Sequence, residues 1–230
     1  MITLLMSALV IVSASCPPSA ASCACSDLPP FVRAPENPAA MHAVAAMTVA
    51  DRRAALRSND PEMRRAALHA VADENIDGEL QVVLRAAEDP SCDVAVAAIE
   101  MLDDTRDPRA TTTLVRAASS ERCRVREAAV WSLDDHRGEG VEGVLLKRIT
   151  DTDSRVRHAA ATSLGSQSGQ SVVAALIQAS HDTVEQVRSA AIRSLGEVGD
   201  KRGLNAVVRA ASDPNKHVRQ AAADALGRLR

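Results

Sequence analysis

Apolar residues recur in this sequence with a period of 31 residues and predict one helix in each period. Each period holds an anchor residue, two alanines three and four positions later, and a second anchor at position eight. This spacing places all four side chains on one face of an α-helix. The first anchors are Met63, Val94, Val125, Val156, Val187 and Val218, and the second anchors are Val71, Leu102, Leu133, Leu164, Leu195 and Leu226.

A second apolar pattern follows in each period and predicts a second helix. It consists of the pairs Val83-Leu84, Leu114-Val115, Leu145-Leu146, Leu176-Ile177 and Val207-Val208. Each period is therefore expected to form a helical hairpin. Because one hairpin buries too little apolar surface to be stable alone, successive hairpins must stack on a continuous core.

Two local signals predict where these helices begin and end. The Asp-Pro pairs at 89–90, 107–108 and 213–214 are expected to start helices, because Asp accepts bonds from free backbone N–H groups and Pro fits the first turn. Gly165, Gly196 and Gly227 directly follow the last apolar residue of a stripe. We expect each of them to adopt the left-handed conformation that ends a helix.

The composition agrees with an all-α chain. The sequence contains 43 alanines among 230 residues, and aromatic residues make up only 1%. Alanine has the highest helix propensity, so an all-β fold is excluded. The net charge of −3 and the scarcity of aromatic side chains disfavour nucleic-acid binding, which needs positive charge and stacking surfaces.

The segments 156–165 (VRHAAATSLG) and 187–196 (VRSAAIRSLG) resemble HEAT repeats of the bilin-lyase-like subclass. The resemblance covers residues 59–230, as five hairpins and a final helix, and residues 38–58 are expected to form a degenerate N-terminal hairpin. It implies a right-handed α-solenoid, that is, a superhelix of stacked hairpins.

Such repeats use an Asp–Arg ladder between units, and we assign a structural role of this kind to three pairs that are six residues apart. These pairs are Asp151 with Arg157, Asp182 with Arg188, and Asp213 with Arg219. Ala95 and Ser120 interrupt the pattern in the second and third units. We expect lower local stability there.

The first 37 residues are predicted to be an export signal and a linker. Residues 2–14 are apolar and uncharged, like the core of a signal peptide, and too short to span a bilayer as a helix. Residues 13–16 (SASC) resemble the end of a bacterial lipoprotein signal, which would make Cys16 a lipidation site; ordinary signal-peptidase cleavage is the alternative.

We assign residues 1–15 to the signal peptide and residues 16–37 to a linker rich in Pro, Ser and Cys. The expected location is the periplasm, or the cell envelope through a lipid anchor. If the N-terminal segment is not a functional signal, the protein is cytoplasmic.

The candidate binding residues are Arg85, Arg116, Lys147 and Arg209, which stand 22 positions after the first anchor of their units. By the resemblance, the second helices line the concave side, so these cations would form a basic stripe for an acidic partner; a solvated helix face is the alternative. Trp131 lies at an exposed position of its predicted helix and is a candidate interface anchor or a cover over aliphatic surface.

The sequence contains no motif for catalysis, metal binding or cofactor binding. The six histidines form neither HExxH nor a His-Glu dipeptide, and there is no Gly-rich phosphate loop. Cys92 and Cys123 occupy equivalent places in adjacent units, too far apart to bond to each other, so we expect free, partly buried thiols.

These observations predict a non-catalytic scaffold that binds a protein or peptide partner without a cofactor. Two alternatives are open. One is an enzyme subunit of the bilin lyase type, acting on a chromophore-carrying protein. The other is a self-assembling structural protein, since Val218 and Leu226 of the last helix would lie open unless they are covered.

Overall fold

The computed structural model describes residues 38–138 and 140–229, and the regular elements in these ranges are all helices. They are α1 (Pro38–Ala45), α2 (Val49–Ala55), α3 (Pro61–Ala86), α4 (Cys92–Met101), α5 (Pro108–Ala117), α6 (Cys123–Ser132), α7 (Val141–Arg148), α8 (Ser154–Ser163), α9 (Gln170–Ala179), α10 (Glu185–Val198), α11 (Leu204–Ala210) and α12 (Lys216–Arg228). Short 3₁₀ turns follow α8 at Leu164–Ser166 and precede α11 at Lys201–Gly203.

The helices stack in two layers. From the second unit onwards, α4, α6, α8, α10 and α12 are the first helices of their units, and each packs against the next in the series. The second helices α5, α7, α9 and α11 form the other layer, and each packs against the first helix of the following unit. The predicted all-α solenoid of stacked helices is confirmed.

One apolar core runs through the described stack from Leu68 to Leu229. Both alanines of all six pairs are buried, and so are the valine anchors from Val94 to Val218. Their small side chains let neighbouring first helices approach closely. Val218 is fully buried, so the expectation that it lies open at the end of the stack is wrong; Leu226 is partly buried against the core.

The first unit joins both of its predicted helices in one helical segment, α3. A straight helix would place Arg64 about 33 Å from Ala86. The side chain of Arg64 is nevertheless 2.8 Å from that of Asp89, which follows the helix by three residues. α3 is therefore not straight over its whole length.

The three glycines expected to end helices do not do so. None of Gly165, Gly196 and Gly227 has a positive φ, and α10 continues past Gly196 to Val198, where Gly199 with a φ of +71° follows it. A Cβ atom on Gly196 would lie 2.8 Å from the Cα of Ala225 in α12. Glycine is needed here because the two helices approach each other closely, and not because of its backbone freedom.

Only one of the three Asp-Pro pairs starts a helix. Asp107 accepts a hydrogen bond from the backbone N–H of Arg109, and Pro108 opens α5, as predicted. Asp89 and Asp213 lie three residues before α4 and α12 begin. Their carboxylates instead bind arginines of the preceding unit.

Cys92 and Cys123 are buried at the starts of α4 and α6, and both are disulfide-bonded. The expectation of free, partly buried thiols is therefore wrong. The spacing argument excluded only a bond between these two residues, and it left bonds to other cysteines open.

None of the helices in residues 38–138 and 140–229 is long and apolar enough to cross a lipid bilayer. The predicted signal peptide, the linker and Cys16 precede residue 38 and lie outside the described residues.

Candidate binding face

An Asp–Arg ladder fixes the spacing of the units that carry the candidate binding residues. Arg157 in α8 donates two hydrogen bonds to the carboxylate of Asp182 in the next unit, at 2.7 and 3.0 Å. Its Nη1 donates to the backbone carbonyl of Asp151 at 2.9 Å. The same carboxylate bonds join Arg64 to Asp89, Arg126 to Asp151 and Arg188 to Asp213.

This geometry corrects the pairing inferred from the sequence. The Asp six residues before each Arg contributes only its backbone carbonyl. For Arg157 and Arg188 the carboxylate partner lies 25 residues later, so each of these two guanidinium groups bonds to its own turn and to the next unit. The ladder does join neighbouring units, as the resemblance implied.

The interface between the second and third units lacks this bridge, and another arginine takes part of its place. Ala95 and Ser120 stand where the two partners of the missing bridge would be. Arg122 of the third unit donates to the carbonyl oxygens of Asp89 and Pro90, at 2.8 and 3.2 Å. An arginine at position 95 would bind the same two carbonyls, because ladder arginines bind those five and six residues earlier.

The bridges also set the charge state of their carboxylates. The hydrogen bonds from Arg188 lower the pKa of Asp213 below its usual value. Burial alone would raise the pKa of Asp182, but the bonds from Arg157 and from a backbone N–H outweigh it, and the pKa is lowered. These carboxylates are therefore ionised at neutral pH.

Exposed cations form one row along the second helices. Each second helix carries one residue of the row, in the order Arg85, Arg116, Lys147, Gln178 and Arg209, and all five are exposed. Arg116 forms an ion pair with Glu88, and Arg209 lies 3.4 Å from Nε2 of His181. Within the described part of the chain, Arg85 and Lys147 take part in no ion pair.

An apolar row runs beside the cations on the second helices. It is formed by the second residue of each apolar pair: Leu84, Val115, Leu146, Ile177 and Val208. Leu84 is buried, the middle three are partly buried and Val208 is 53% exposed. Adjacent residues point about 100° apart on a helix, so the pairing itself signals that one member lies at the edge of the core.

An open pocket of about 520 Å³ lies at the start of this face, between α3 and α5. Its lining includes Arg85, Arg109, Arg116 and Glu88 together with the apolar carbons of Leu84 and Pro108 and the hydroxyl of Thr112. Arg116 forms an ion pair with Glu88 and Arg109 with Asp107, so among the described residues Arg85 is the cation of this lining that takes part in no ion pair. One such cation next to apolar surface suits an acidic side chain beside an apolar one.

Trp131 lies on α6, in the layer of first helices, and is not brought together with the cations. It is partly buried against the core, and its ring meets that of His158 edge-on at 5.6 Å between centroids. Burial lowers the pKa of His158, and the charge of Arg193 lowers it further, so this ring is neutral near pH 7. The partial burial of Trp131 agrees with the alternative in which its ring covers neighbouring surface, and a role as an interface anchor stays a prediction.

Buried polar side chains between the units serve as links. His136 places Nδ1 2.8 Å from the hydroxyl of Thr111 and Nε2 3.0 Å from the carbonyl oxygen of Asp103. Among the described residues, no group of three or more His, Cys, Asp or Glu side chains is arranged to hold a metal ion.

The family comparison identifies the repeats. The model described as HEAT repeats matches residues 79–165, 117–189 and 173–230, which together make up more than half of the chain. No curated protein sequence matches this chain.

Several solved helical-repeat structures share the fold. An engineered protein is 19% identical over 80% of this chain and 97% of its own, with a TM-score of 0.58. A designed armadillo repeat protein in complex with the peptide (KR)4 is 18% identical over 80% of this chain and all (100%) of its own, with a TM-score of 0.61. The complex of CpcE and CpcF of phycocyanin lyase from Nostoc sp. PCC7120 is 17% identical over 88% of this chain and 81% of its own, with a TM-score of 0.57.

Proposed function

Because this chain belongs to the HEAT-repeat family, whose stacked helices present long continuous surfaces, we propose that it is a non-catalytic scaffold for an acidic protein segment. The segment binds along the second helices. The observation that carries this proposal is the row of exposed cations beside a row of partly exposed apolar side chains.

The two rows support a partner with two kinds of side chain. Carboxylates complement Arg85, Lys147 and their neighbours, and this charge complementarity fixes orientation and speeds association. Apolar side chains cover surface such as Val208, which is 53% exposed. The ladder holds the units rigidly, so little conformational entropy is lost by the scaffold on binding.

The spacing of the units defines the pattern such a segment should carry. Packed helices lie about 8–10 Å apart, and a peptide in the polyproline II conformation advances about 3.1 Å per residue with three residues per turn. A carboxylate at every third residue therefore stays on one side of the peptide and meets one cation per unit. An apolar residue after each carboxylate points about 120° away, toward the apolar row.

A peptide of Glu-Leu-Ser repeats tests this proposal by fluorescence anisotropy. We expect it to bind the full chain, whereas a peptide of Lys-Leu-Ser repeats does not. Replacing Arg85, Arg116, Lys147 and Arg209 by Glu should abolish binding. The loss of four exposed ion pairs, at roughly 0.5 kcal/mol each, by itself raises the Kd about thirtyfold. Repulsion between the new glutamates and the acidic peptide raises the Kd further.

The matched control reverses four exposed cations that lie outside the second helices: Arg57, Arg106, Arg193 and Lys216. This variant has the same net charge as the first and should bind like the unmodified protein. Equal loss of binding in both variants would show a general charge effect and reject the specific face. Unchanged binding in the first variant would reject it outright.

The two alternatives from the sequence make different predictions. A bilin-lyase-type subunit would change the absorbance of a bilin on mixing; the similarity to phycocyanin lyase extends to the fold alone at 17% identity. Self-assembly through the last helix would show in light scattering as a mass that rises with concentration. The complete burial of Val218 gives self-assembly no support.

We also propose that the protein is exported, with lipidation of Cys16 as one form of anchoring. Disulfides persist in oxidising compartments, so the disulfide-bonded Cys92 and Cys123 support export together with the apolar N-terminal segment. The mass of the mature amino terminus tests both parts of this proposal.

A further inference from the structure

The helix α12 repeats a side-chain pattern of α8. Each of them carries an arginine, an alanine and a glycine at intervals of four residues, and this spacing places the three on one side of a helix. They are Arg157, Ala161 and Gly165 on α8 and the 3₁₀ turn after it, and Arg219, Ala223 and Gly227 on α12. The two helices therefore present the same side chains to whatever packs there.

In α8 this side is covered by α10 of the next unit. Ala161 is fully buried, and an added Cβ on Gly165 would lie 2.9 Å from the hydroxyl oxygen of Ser194 in α10. Nε and Nη2 of Arg157 donate to the carboxylate of Asp182, which stands three residues before α10 begins. Within the stack, this pattern thus binds a helix that follows an aspartate.

On α12 the same side is uncovered. Ala223 and Gly227 are exposed, and an added Cβ on Gly227 would meet nothing within 4 Å. Nη1 of Arg219 donates to the carbonyl oxygens of Asp213 and Pro214, both at 2.8 Å, as the other ladder arginines do in their own turns. Within the described residues, Nε and Nη2 of Arg219 meet no acceptor. The guanidinium is therefore held as in the ladder, with its carboxylate-binding edge open.

The adjoining helix α11 adds exposed apolar surface. Leu204 is 38% and Val208 53% exposed, whereas their counterparts in α9, Val173 and Ile177, are buried and partly buried. A further second helix lies beyond α9, whereas the described residues include none beyond α11. Because α11 packs against α12, the uncovered surface combines an arginine with apolar side chains on two packed helices.

We propose that this surface binds a helix of a partner protein that follows an aspartate. The α11–α12 surface consists of Leu204, Val208, Arg219, Ala223 and Gly227. The aspartate accepts the two hydrogen bonds that Arg219 still has to donate, and bidentate pairs of this kind are among the stronger polar contacts. The two small residues let the helix axes approach closely. Apart from Val208, this surface shares no residue with the face proposed for the acidic segment, so neither proposal depends on the other.

The chain itself provides the sequence of a probe. Residues 182–198 contain the aspartate and α10, the helix that covers α8. An acetylated, fluorescently labelled peptide of these residues is stapled between positions 186 and 193, which are both exposed on α10. The staple orders the helix beforehand, so little conformational entropy opposes binding. We expect the peptide to bind the full chain in fluorescence anisotropy, and absence of binding would overturn the proposal.

A double-mutant cycle tests the carboxylate contact. Asp182→Asn in the peptide and Arg219→Ala in the protein should each raise the Kd about tenfold, and together they should raise it little further, because both remove the same pair. Arg106→Ala, which removes an exposed cation between α4 and α5, is the control and should leave the Kd unchanged. Two effects that multiply would show that the aspartate does not meet Arg219 and would overturn the proposal.

A second pair of variants tests the close approach of the helix. Gly227→Leu places a large side chain where the free protein has open space, so the protein should stay folded and lose binding. Gly143→Leu is the matched control, because Gly143 in α7 also has open space around it and lies outside this surface. Thermal unfolding checks that both variants are folded. Unchanged peptide binding by folded Gly227→Leu would overturn the proposal.

Sedimentation equilibrium distinguishes a partner protein from a second copy of this chain. We expect the mass of the full chain to stay that of a monomer as its concentration rises. A mass that rises in the unmodified protein and not in Gly227→Leu would assign the surface to a second copy and overturn the proposal.

Discussion

Gly165, Gly196 and Gly227 stand at the same position of three consecutive units but meet different surroundings. An added Cβ would lie 2.8 Å from backbone at Gly196 and 2.6 Å from the flexible end of Glu197 at Gly165, while it would meet nothing within 4 Å at Gly227. The sequence could show that a small residue recurs here. It could not show whether backbone conformation or space requires it, because that depends on how closely the next unit approaches.

The substitutions Gly196→Ala and Gly227→Ala should therefore have opposite effects. Gly196→Ala pushes α10 from α12 and should lower the free energy of unfolding by about 1–3 kcal/mol. Gly227→Ala adds a better helix former in open space and should be neutral or stabilising by up to about 1 kcal/mol. Urea denaturation measures both; equal effects of the two variants would contradict the close-approach argument.

The ladder carboxylates should make stability depend on pH in the acid range. The pKa of Asp182 in the folded protein is lowered from the unfolded value of 3.8. Between these two pKa values the unfolded state binds more protons, so stability is fully present above about pH 5 and is lost as the pH falls through the folded pKa.

The substitution Asp182→Asn should consequently cost about 1–3 kcal/mol at pH 7 and less as the pH falls below about 4. Urea denaturation at several pH values measures this difference. Asp135→Asn, in an exposed turn, is the control and should change stability little at any pH. A cost for Asp182→Asn that is constant with pH would show that charge is not what the bridge contributes.

At the scale of helices, the sequence predicted the elements well and their partners less well. The apolar period located the first helices because buried positions such as Val156 and Leu164 repeat without exception. The second helices were found, but the pattern did not show that Val115 and Ile177 are only partly buried, since an apolar pair does not reveal which member faces inward. The Asp–Arg partners were missed because they are 25 residues apart and belong to different units.

The interface between α4 and α6 provides a test of helix-to-helix bridging. Ala95→Arg alone should destabilise the protein, because two guanidinium groups then compete for the carbonyls of Asp89 and Pro90 without a carboxylate. Adding Ser120→Asp and Arg122→Ser completes a ladder bridge and should recover the lost stability, with a coupling of at least about 1 kcal/mol.

Chemical denaturation of the Ala95→Arg single variant, the Ser120→Asp/Arg122→Ser double variant and the triple variant measures this coupling. Effects that merely add would mean that Arg122 does not stand in for the missing bridge.

At the scale of the molecule, repetition made the architecture predictable from the sequence. Each unit repeats the same apolar stripe, so the fold predicted for one hairpin applies to all of them. The six anchors from Met63 to Val218, at a constant spacing, therefore indicate a stack of hairpins and no other fold. The binding face was predictable only as a row of cations, because its apolar half depends on which carbons the stack leaves uncovered. The sequence left open whether Trp131 anchors a partner or covers aliphatic surface; in the structure it packs against the core and against the ring of His158 from the neighbouring unit.

Because Arg122 takes part of the place of the missing Asp–Arg bridge, the units of this stack cannot be exchanged freely for one another. The third unit carries an arginine that fits only behind a neighbour with a small residue at the place of Ala95. Moved behind any unit that has its own ladder arginine, it would bring two like charges to one pair of carbonyls. The contacts between neighbouring units therefore constrain their order. A design that duplicates or reorders the units must move Ala95, Ser120 and Arg122 together as one set.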